Sequence, residues 1–179
     1  KKNDNKFIHV CKNHDIGIYR GSVNNVSKRL IDCAKENSIK IIVRITADCP
    51  LIAPILIDKC IKYHYLKKSD YTSNVIELSY PDGLDVEVLN LKALIKSQKL
   101  SNTKYNNEHV TSFIRRSKKF KKYNIKCSVN YSNRRWTLDF MKDFLFLKKV
   151  LKHFSKNNFF SWKDLINAEK VNKELINLK

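Results

Sequence analysis

Glycine and proline are scarce in this chain, with three of each among 179 residues. Neither G-x-G-x-x-G nor G-x-x-x-x-G-K-[ST] occurs, so the dinucleotide fingerprint and the P-loop are both missing. No apolar run approaches the roughly 20 residues that span a bilayer. The polar opening KKNDNK carries no signal-peptide core. Five cysteines (Cys11, Cys33, Cys49, Cys60, Cys127) are odd in number and never form a C-x-x-C pair. That pattern argues against a disulfide scaffold and a zinc site, and fits a reducing cytoplasm. No Ser-His-Asp or Cys-His arrangement can be defended from spacing, and no internal repeat or linker-like segment interrupts the chain. One domain over residues 1–179 is the expectation.

Acidic residues are also few: 17 Asp and Glu stand against 36 Lys and Arg, a formal charge of +19. Nucleic-acid binding is the first reading of such a balance. Only seven of the basic residues are arginine, however, and lysine, asparagine and isoleucine are inflated together. The lysines are spread along the chain, with SKKFKK (117–122) the one dense run. A solvated lysine surface accounts for them better than phosphate contacts do, and no aromatic–basic stacking surface is evident.

What is present is organised around IKIIVRITADCPLI (39–52). Ile41, Ile42, Val43 and Ile45, broken only by Arg44, read as a strand buried on both faces. Asp48 arrives as the run ends, and Pro50 has no N–H to extend a ladder. Pro54, Ile55, Ile57, Cys60, Ile61 and Leu66 then read as a helix packing back on the sheet. A carboxylate at the carboxyl end of a parallel strand faces the crevice where open α/β sheets bind ligands. The same position also suits a residue that merely ends a strand or caps a turn.

Around that centre the spacing predicts a short helix over 5–14, a strand over 16–20 (IGIYR), a turn at Gly21-Ser22 and a helix from Val26 to residue 36. Strands follow at 70–74 and 85–90, joined through the turn Tyr80-Pro81-Asp82-Gly83. Helices are expected over 91–100 and 107–116, strands over 124–129 and 135–139, and helices over 141–154 and 162–176, the last capped by Ser161. Alternating helices and strands in the first half argue for an α/β sandwich, with an antiparallel part contributed later.

Several polar residues stand out against this frame. Asp139 ends RRWTL and precedes a helix, where an N-cap is its ordinary role. If the strands leading to Asp48 and Asp139 are neighbours, the two carboxylates could instead share one Mg²⁺, an ion usually held by one or two carboxylates plus substrate phosphates. Arg20-Gly21-Ser22 lies between a strand and a helix, where backbone amides and a guanidinium could meet an anionic ligand. Asp82, Asp85 and Glu87 surround one glycine, and Asp85 and Glu87 share a strand face by the two-residue period. An exposed sheet edge explains that pair as readily as a site does. Glu108 and His109 open a predicted helix that Arg115 and Arg116 close, an arrangement that suits the helix dipole.

Taken together, IYRGS…NVSKRL, IVRITADCPLI, YTSN, YPDGLDVEV, NEHVTSFIR and RRWTLDFMKDF, in this order over residues 16–144, closely resemble the SpsF-like cytidylyltransferases of spore-coat and surface-polysaccharide synthesis. These are relatives of the synthetases that activate Kdo and sialic acid. The resemblance implies a Rossmann-like nucleotidyltransferase fold: a three-layer α/β sandwich with a mixed, mainly parallel sheet. It implies a cytoplasmic, commonly homodimeric enzyme that moves CMP from CTP to a sugar or sugar acid, releasing pyrophosphate with Mg²⁺. Asp48 and Asp139 would be catalytic metal ligands, and Arg20, Gly21 and Ser22 would lie near the nucleotide. Asp82, Asp85, Glu87, Glu108 and His109 would line the acceptor side. The family's opening β-α-β segment, with its basic loop R-x-x-S-x-R-L-P-G-K around the triphosphate, has no counterpart here. The chain therefore reads as a fragment or an N-terminally truncated relative, inactive on CTP by itself. A non-catalytic nucleotide- or partner-binding relative is the alternative.

Overall fold

The computed structural model describes residues 5–156 and 159–178; the polar opening residues 1–4 lie outside them. Four strands form one sheet in the order β1-β3-β2-β4: β1 (Ile41–Arg44), β2 (Tyr71–Ser73), β3 (Glu87–Asn90) and β4 (Lys122–Asn124). β3 pairs antiparallel with both β1 and β2, and β4 pairs parallel with β2. Three strands thus run one way and β3 runs against them, the expected mixed and mainly parallel sheet.

Side-chain alternation along β3 divides the core between two faces. Val86 and Val88 join Leu56 and Cys60 of α3 (Pro54–Lys67), Phe146, Leu147 and Val150 of α7 (Met141–His153), and Leu165 of α8 (Trp162–Val171). Leu89 faces the other way, with Tyr71 and Ile42, against Ile31 of α2 (Val26–Glu36), Leu94 of α4 (Leu91–Leu100) and Ile114 of α6 (Ser112–Arg116). Helices on both faces make the three layers. Each fully buried large side chain, such as Trp136, Leu89 or Leu94, contributes roughly 1.5–3 kcal/mol of burial.

Local chemistry sets most element ends. Asn25 accepts the Lys28 N–H and opens α2. Ser161 and Asp164 form a reciprocal capping box on α8. Pro54 occupies the first turn of α3, where its missing N–H costs nothing. The short helix predicted near the start is α1 (Asn5–Asn13).

The structure departs from the sequence reading at several places. β1 is an edge strand, not one buried on both faces: Val43 is 38% exposed and only Ile42 is buried. Residues 16–20 form no strand, since no ladder partner lies beside them among the described residues. The buried line of α3 is Leu56–Cys60–His64, whereas Ile55 (72% exposed) and Leu66 face outward. The single helix expected over 107–116 is two short ones, α5 (Lys104–Glu108) and α6. Val110 and Thr111 between them are β-branched and buried, so their packing overrides helical continuity. Glu108 consequently ends a helix, and the dipole argument for it fails. The strand predicted at 124–129 is replaced by β4, because Tyr71–Ser73 pair in register with Lys122–Asn124 and the three-residue β2 offers no partner beyond Asn124. Residues 135–139 make only an isolated bridge, Asp82 to Arg135.

Candidate functional site at the carboxyl ends of β1 and β2

Beyond Arg44 the chain makes a tight turn in which the Cys49 N–H donates to the Thr46 carbonyl at 3.2 Å. This turn carries Asp48. Its neighbour Cys49 is buried, with Sγ 3.2 Å from the Thr46 hydroxyl and against the backbone of Asp85. Burial pushes the Cys49 thiol up to about 11, so it serves as packing rather than as a nucleophile.

Residues 134–139 lie between this turn and the Tyr80–Gly83 turn, hydrogen-bonded to both. Asp82 N–H donates to Arg134 O at 3.0 Å, and Trp136 N–H donates to Asp82 O at 2.7 Å. Leu138 N–H then donates to Asp48 O at 2.8 Å. Gly83 is required here: its φ is +105°, and a Cβ would stand 2.7 Å from the Trp136 carbonyl carbon. Ser73, the last residue of β2, and Asn74, just past it, hold the approach to β3. Asn74 Nδ2 donates to Leu84 O at 2.9 Å and its Oδ1 accepts Val86 N–H at 2.8 Å, while Ser73 Oγ donates to Val86 O at 2.7 Å. The loops bearing Asp48, Asp82, Asp85 and Asp139 are thereby gathered at one end of the sheet.

Asp139 does not cap α7. That role falls to Asp143, whose Oδ2 accepts the N–H groups of Asp139 (3.1 Å) and Phe140 (3.0 Å). The Asp139 carboxylate instead accepts Arg135 Nη2 at 2.6 Å through one oxygen. Arg135 also binds fully buried Asp143, Nε to Oδ1 at 3.3 Å and Nη2 to Oδ2 at 3.1 Å. The Arg135 guanidinium, aided by the two backbone donors, holds the Asp143 carboxyl down at about 2. Arg135 is thus a rigid bracket that fixes where Asp139 sits.

A polar cleft of about 120 Å³ opens beside the Asp48 turn, lined by Arg44, Thr46, Asp85, Glu87, His109 and Arg115. Asp85 and Glu87 do share one face, but that face is this cleft and not a solvent edge. Glu87 is only 4% exposed. Its Oε1 accepts the Tyr71 hydroxyl at 2.6 Å and the Thr111 hydroxyl at 2.5 Å, and its Oε2 pairs with Arg44.

The remaining candidates lie elsewhere. Arg20 and Gly21 line a separate cleft of about 240 Å³ with Phe7, Ile8 and Cys11 of α1. Arg20 Nη1 donates to Asn5 Oδ1 at 3.3 Å. Gly21 presses on Arg29, whose Cγ would be 2.9 Å from an added Cβ. Ser22 accepts the Asn25 N–H through Oγ at 3.0 Å and Arg29 Nη1 through its carbonyl at 2.8 Å. Glu108 is exposed at the end of α5 and is not part of the cleft lining, whereas His109 is. Arg44, Thr46, Thr111 and Arg115 were not singled out from sequence as site residues. For Arg44 a signal existed, a lone charge inside an apolar strand. A cavity of about 560 Å³ between α3, α7 and α8 is lined by Pro50, Trp136, Phe154 and Trp162 among others, and contains none of the candidate carboxylates.

A three-layer α/β sandwich with carboxylates collected beyond the carboxyl ends of β1 and β2 places polar groups where open α/β sheets bind ligands. The family model described as cytidylyltransferase matches residues 3–171, and the chain belongs to the cytidylyltransferase family. A solved cytidylyltransferase from Leptospira borgpetersenii superposes with a TM-score of 0.92 at 30% identity, covering 98% of this chain and 75% of that one. An uncharacterized protein of Methanocaldococcus jannaschii is 35% identical over 174 residues, 94% of this chain and 66% of its own length. The spore coat polysaccharide biosynthesis protein SpsF of Bacillus subtilis is 32% identical over 117 residues, 64% of this chain and 47% of its own. The chain thus spans less than two thirds of the length of either curated relative. The SpsF-like resemblance read from the motifs is supported by these matches.

Proposed function

We propose that the full-length protein transfers CMP from CTP to a sugar or sugar acid, releasing pyrophosphate, in the synthesis of a surface polysaccharide or glycan. One observation carries the reading: within a cytidylyltransferase fold, the Leu138–Asp48 hydrogen bond brings the loops bearing Asp48 and Asp139 together beyond the carboxyl end of β1.

The donor set fits a shared Mg²⁺. Among the described residues no group of three His, Cys, Asp or Glu could hold a metal, and the two carboxylates assigned to the ion are those on the Asp48 and Asp139 loops joined by the Leu138–Asp48 bond. Such a pair suits an ion that keeps waters and takes substrate phosphates as further ligands. Asp48 and Asp139 would hold it, and when bound it would draw charge from the transferring phosphoryl group. Arg135 keeps Asp139 in place through one carboxylate oxygen. Asp85 and His109, which line the cleft, are assigned to the acceptor side, and Asp82 and Glu108, which do not line it, are assigned there on family resemblance alone. Arg20, Gly21 and Ser22 are assigned to the nucleotide on family resemblance alone, and a homodimer and a cytoplasmic location rest on the same ground. No described helix is long and apolar enough to cross a membrane.

The test is pyrophosphate release by the full-length protein, supplied with CTP, UTP, ATP or GTP and a panel of sugars and sugar acids with Mg²⁺. The reading expects release with CTP and at least one acceptor. Binding of CTP without release across the panel would favour a non-catalytic relative.

A further inference from the structure

We infer that Arg44 is an oxyanion-binding residue of the β1–β2 cleft and that Glu87 is its positioning residue, not itself a substrate ligand. Arg44 and Glu87 are direct partners in the β1–β3 register. Glu87 is buried, and three protein donors already occupy its carboxylate: Arg44 Nη1, the Tyr71 hydroxyl and the Thr111 hydroxyl. An ionised carboxylate offers about four acceptor sites and no donor, so little remains with which Glu87 could grip a sugar hydroxyl.

Arg44 is in the opposite condition. A guanidinium carries five N–H donors in a fixed fork. Among the described residues the side-chain hydrogen bond of Arg44 is the one to Glu87. Arg44 lines the cleft and keeps 23% of its side chain exposed, against 6% for Glu87. A buried carboxylate at the root of a partly exposed guanidinium holds the fork in one orientation, so less rotamer freedom is lost when an anion docks. The ligand that matches a planar fork is a phosphate or carboxylate oxyanion, held by paired charge-assisted hydrogen bonds. Thr46, with a hydroxyl, and Arg115 and His109, with N–H groups, line the same cleft, as does the carboxylate of Asp85.

This deepens the transferase reading if the oxyanion belongs to a substrate, but its test needs no turnover. The probe is inorganic phosphate, titrated calorimetrically into the full-length protein at low ionic strength. Arg44→Ala is expected to weaken binding about tenfold, the loss of roughly one charge-assisted hydrogen bond. Glu87→Gln keeps the side chain's shape and loses its charge, and is expected to weaken binding to a similar degree. The double variant should be no weaker than Arg44→Ala, because Glu87 acts only through Arg44. Tyr71→Phe removes a donor to Glu87 from outside the cleft, and should lower stability while leaving phosphate affinity within about twofold.

Additive losses in the double variant would make Glu87 a ligand in its own right and overturn the inference, as would unchanged affinity in Arg44→Ala. If Glu87→Gln does not fold, Arg44→Lys carries the test. It keeps charge without the fork, so an affinity nearer to Arg44→Ala than to wild type supports the inference and wild-type affinity defeats it. Arg44-dependent phosphate binding without nucleotidyl transfer would leave this inference standing and remove the proposed function; transfer without such dependence would do the reverse.

Discussion

The main-chain N–H of Leu138 donates to the carbonyl of Asp48 at 2.8 Å. These residues are far apart in sequence, yet this bond places Asp139 in the loop layer of Asp48. The placement of the Asp139 loop beside the Asp48 turn therefore depends on backbone pairing of residues 134–139 with two turns, and the Asp139 side chain on its bond to Arg135.

Gly83 should be intolerant of any side chain. Gly83→Ala would place a methyl 2.7 Å from the Trp136 carbonyl carbon and 2.8 Å from its oxygen, at a φ of +105°. We expect a loss of at least about 2 kcal/mol, from positive-φ strain plus a backbone clash. Urea unfolding of the variant against wild type measures it; a change below about 0.5 kcal/mol would mean that residues 134–137 do not press on this turn.

The Arg135–Asp143 pair should dominate local stability and its acid dependence. Asp143 is fully buried and its carboxyl is held at about 2. Asp143→Ala leaves a guanidinium and two backbone N–H groups short of an acceptor, at an expected cost of about 3–5 kcal/mol. A depressed carboxyl pKa stabilises the fold above the ordinary carboxylate range, and that stability is lost as pH falls toward 2. Denaturant midpoints measured between pH 7 and pH 2 should fall for wild type and fall less for a folded Asp143→Asn variant.

His64 adds a second pH dependence at higher pH. It is buried on α3, with Nε2 3.2 Å from Asn90 Oδ1 and Nδ1 3.2 Å from the Thr72 hydroxyl. Asn90 Nδ2 donates to Ser69 O at 2.9 Å, which leaves its Oδ1 as the acceptor and Nε2 as the protonated ring nitrogen. Burial lowers the His64 pKa from its usual 6.5. The neutral ring is the folded form, so this contribution is present above the ordinary value and lost as pH falls through the depressed one. Thermal midpoints should drop between pH 7 and pH 5 in wild type, and the drop should be smaller in His64→Gln.

The helices and the α/β class of this fold were legible from periodicity, whereas the three layers came from the family resemblance. α2, α3, α4, α7 and α8 have apolar repeats, and Pro54 and Ser161 mark the starts of α3 and α8. What periodicity could not show was the partner of each strand. The alternation in IGIYR and RRWTLD is real, but strand status needs a ladder, and the described structure supplies none for the first and two isolated bridges, Asp82 to Arg135 and Arg134 to Leu178, for the second. The carboxylates at strand ends were visible as candidates because position along a strand is local information. The pairing of Glu87 with Arg44 was not, because it depends on register between β1 and β3. Nor was the transfer of the α7 cap from Asp139 to Asp143: both lie within reach of the helix start, and the choice follows from where Arg135 stands.

The measurement that bears most directly on the central claim is Mg²⁺-dependent pyrophosphate release by full-length Asp48→Ala and Asp139→Ala, run beside wild type with circular dichroism and thermal midpoints as controls. If the two carboxylates share the ion, each variant should lose at least about a hundredfold in kcat/KM, the equivalent of a few kcal/mol of charge stabilisation, with the fold intact. Wild-type turnover in either folded variant would show that the Asp48–Asp139 pair does not carry the chemistry.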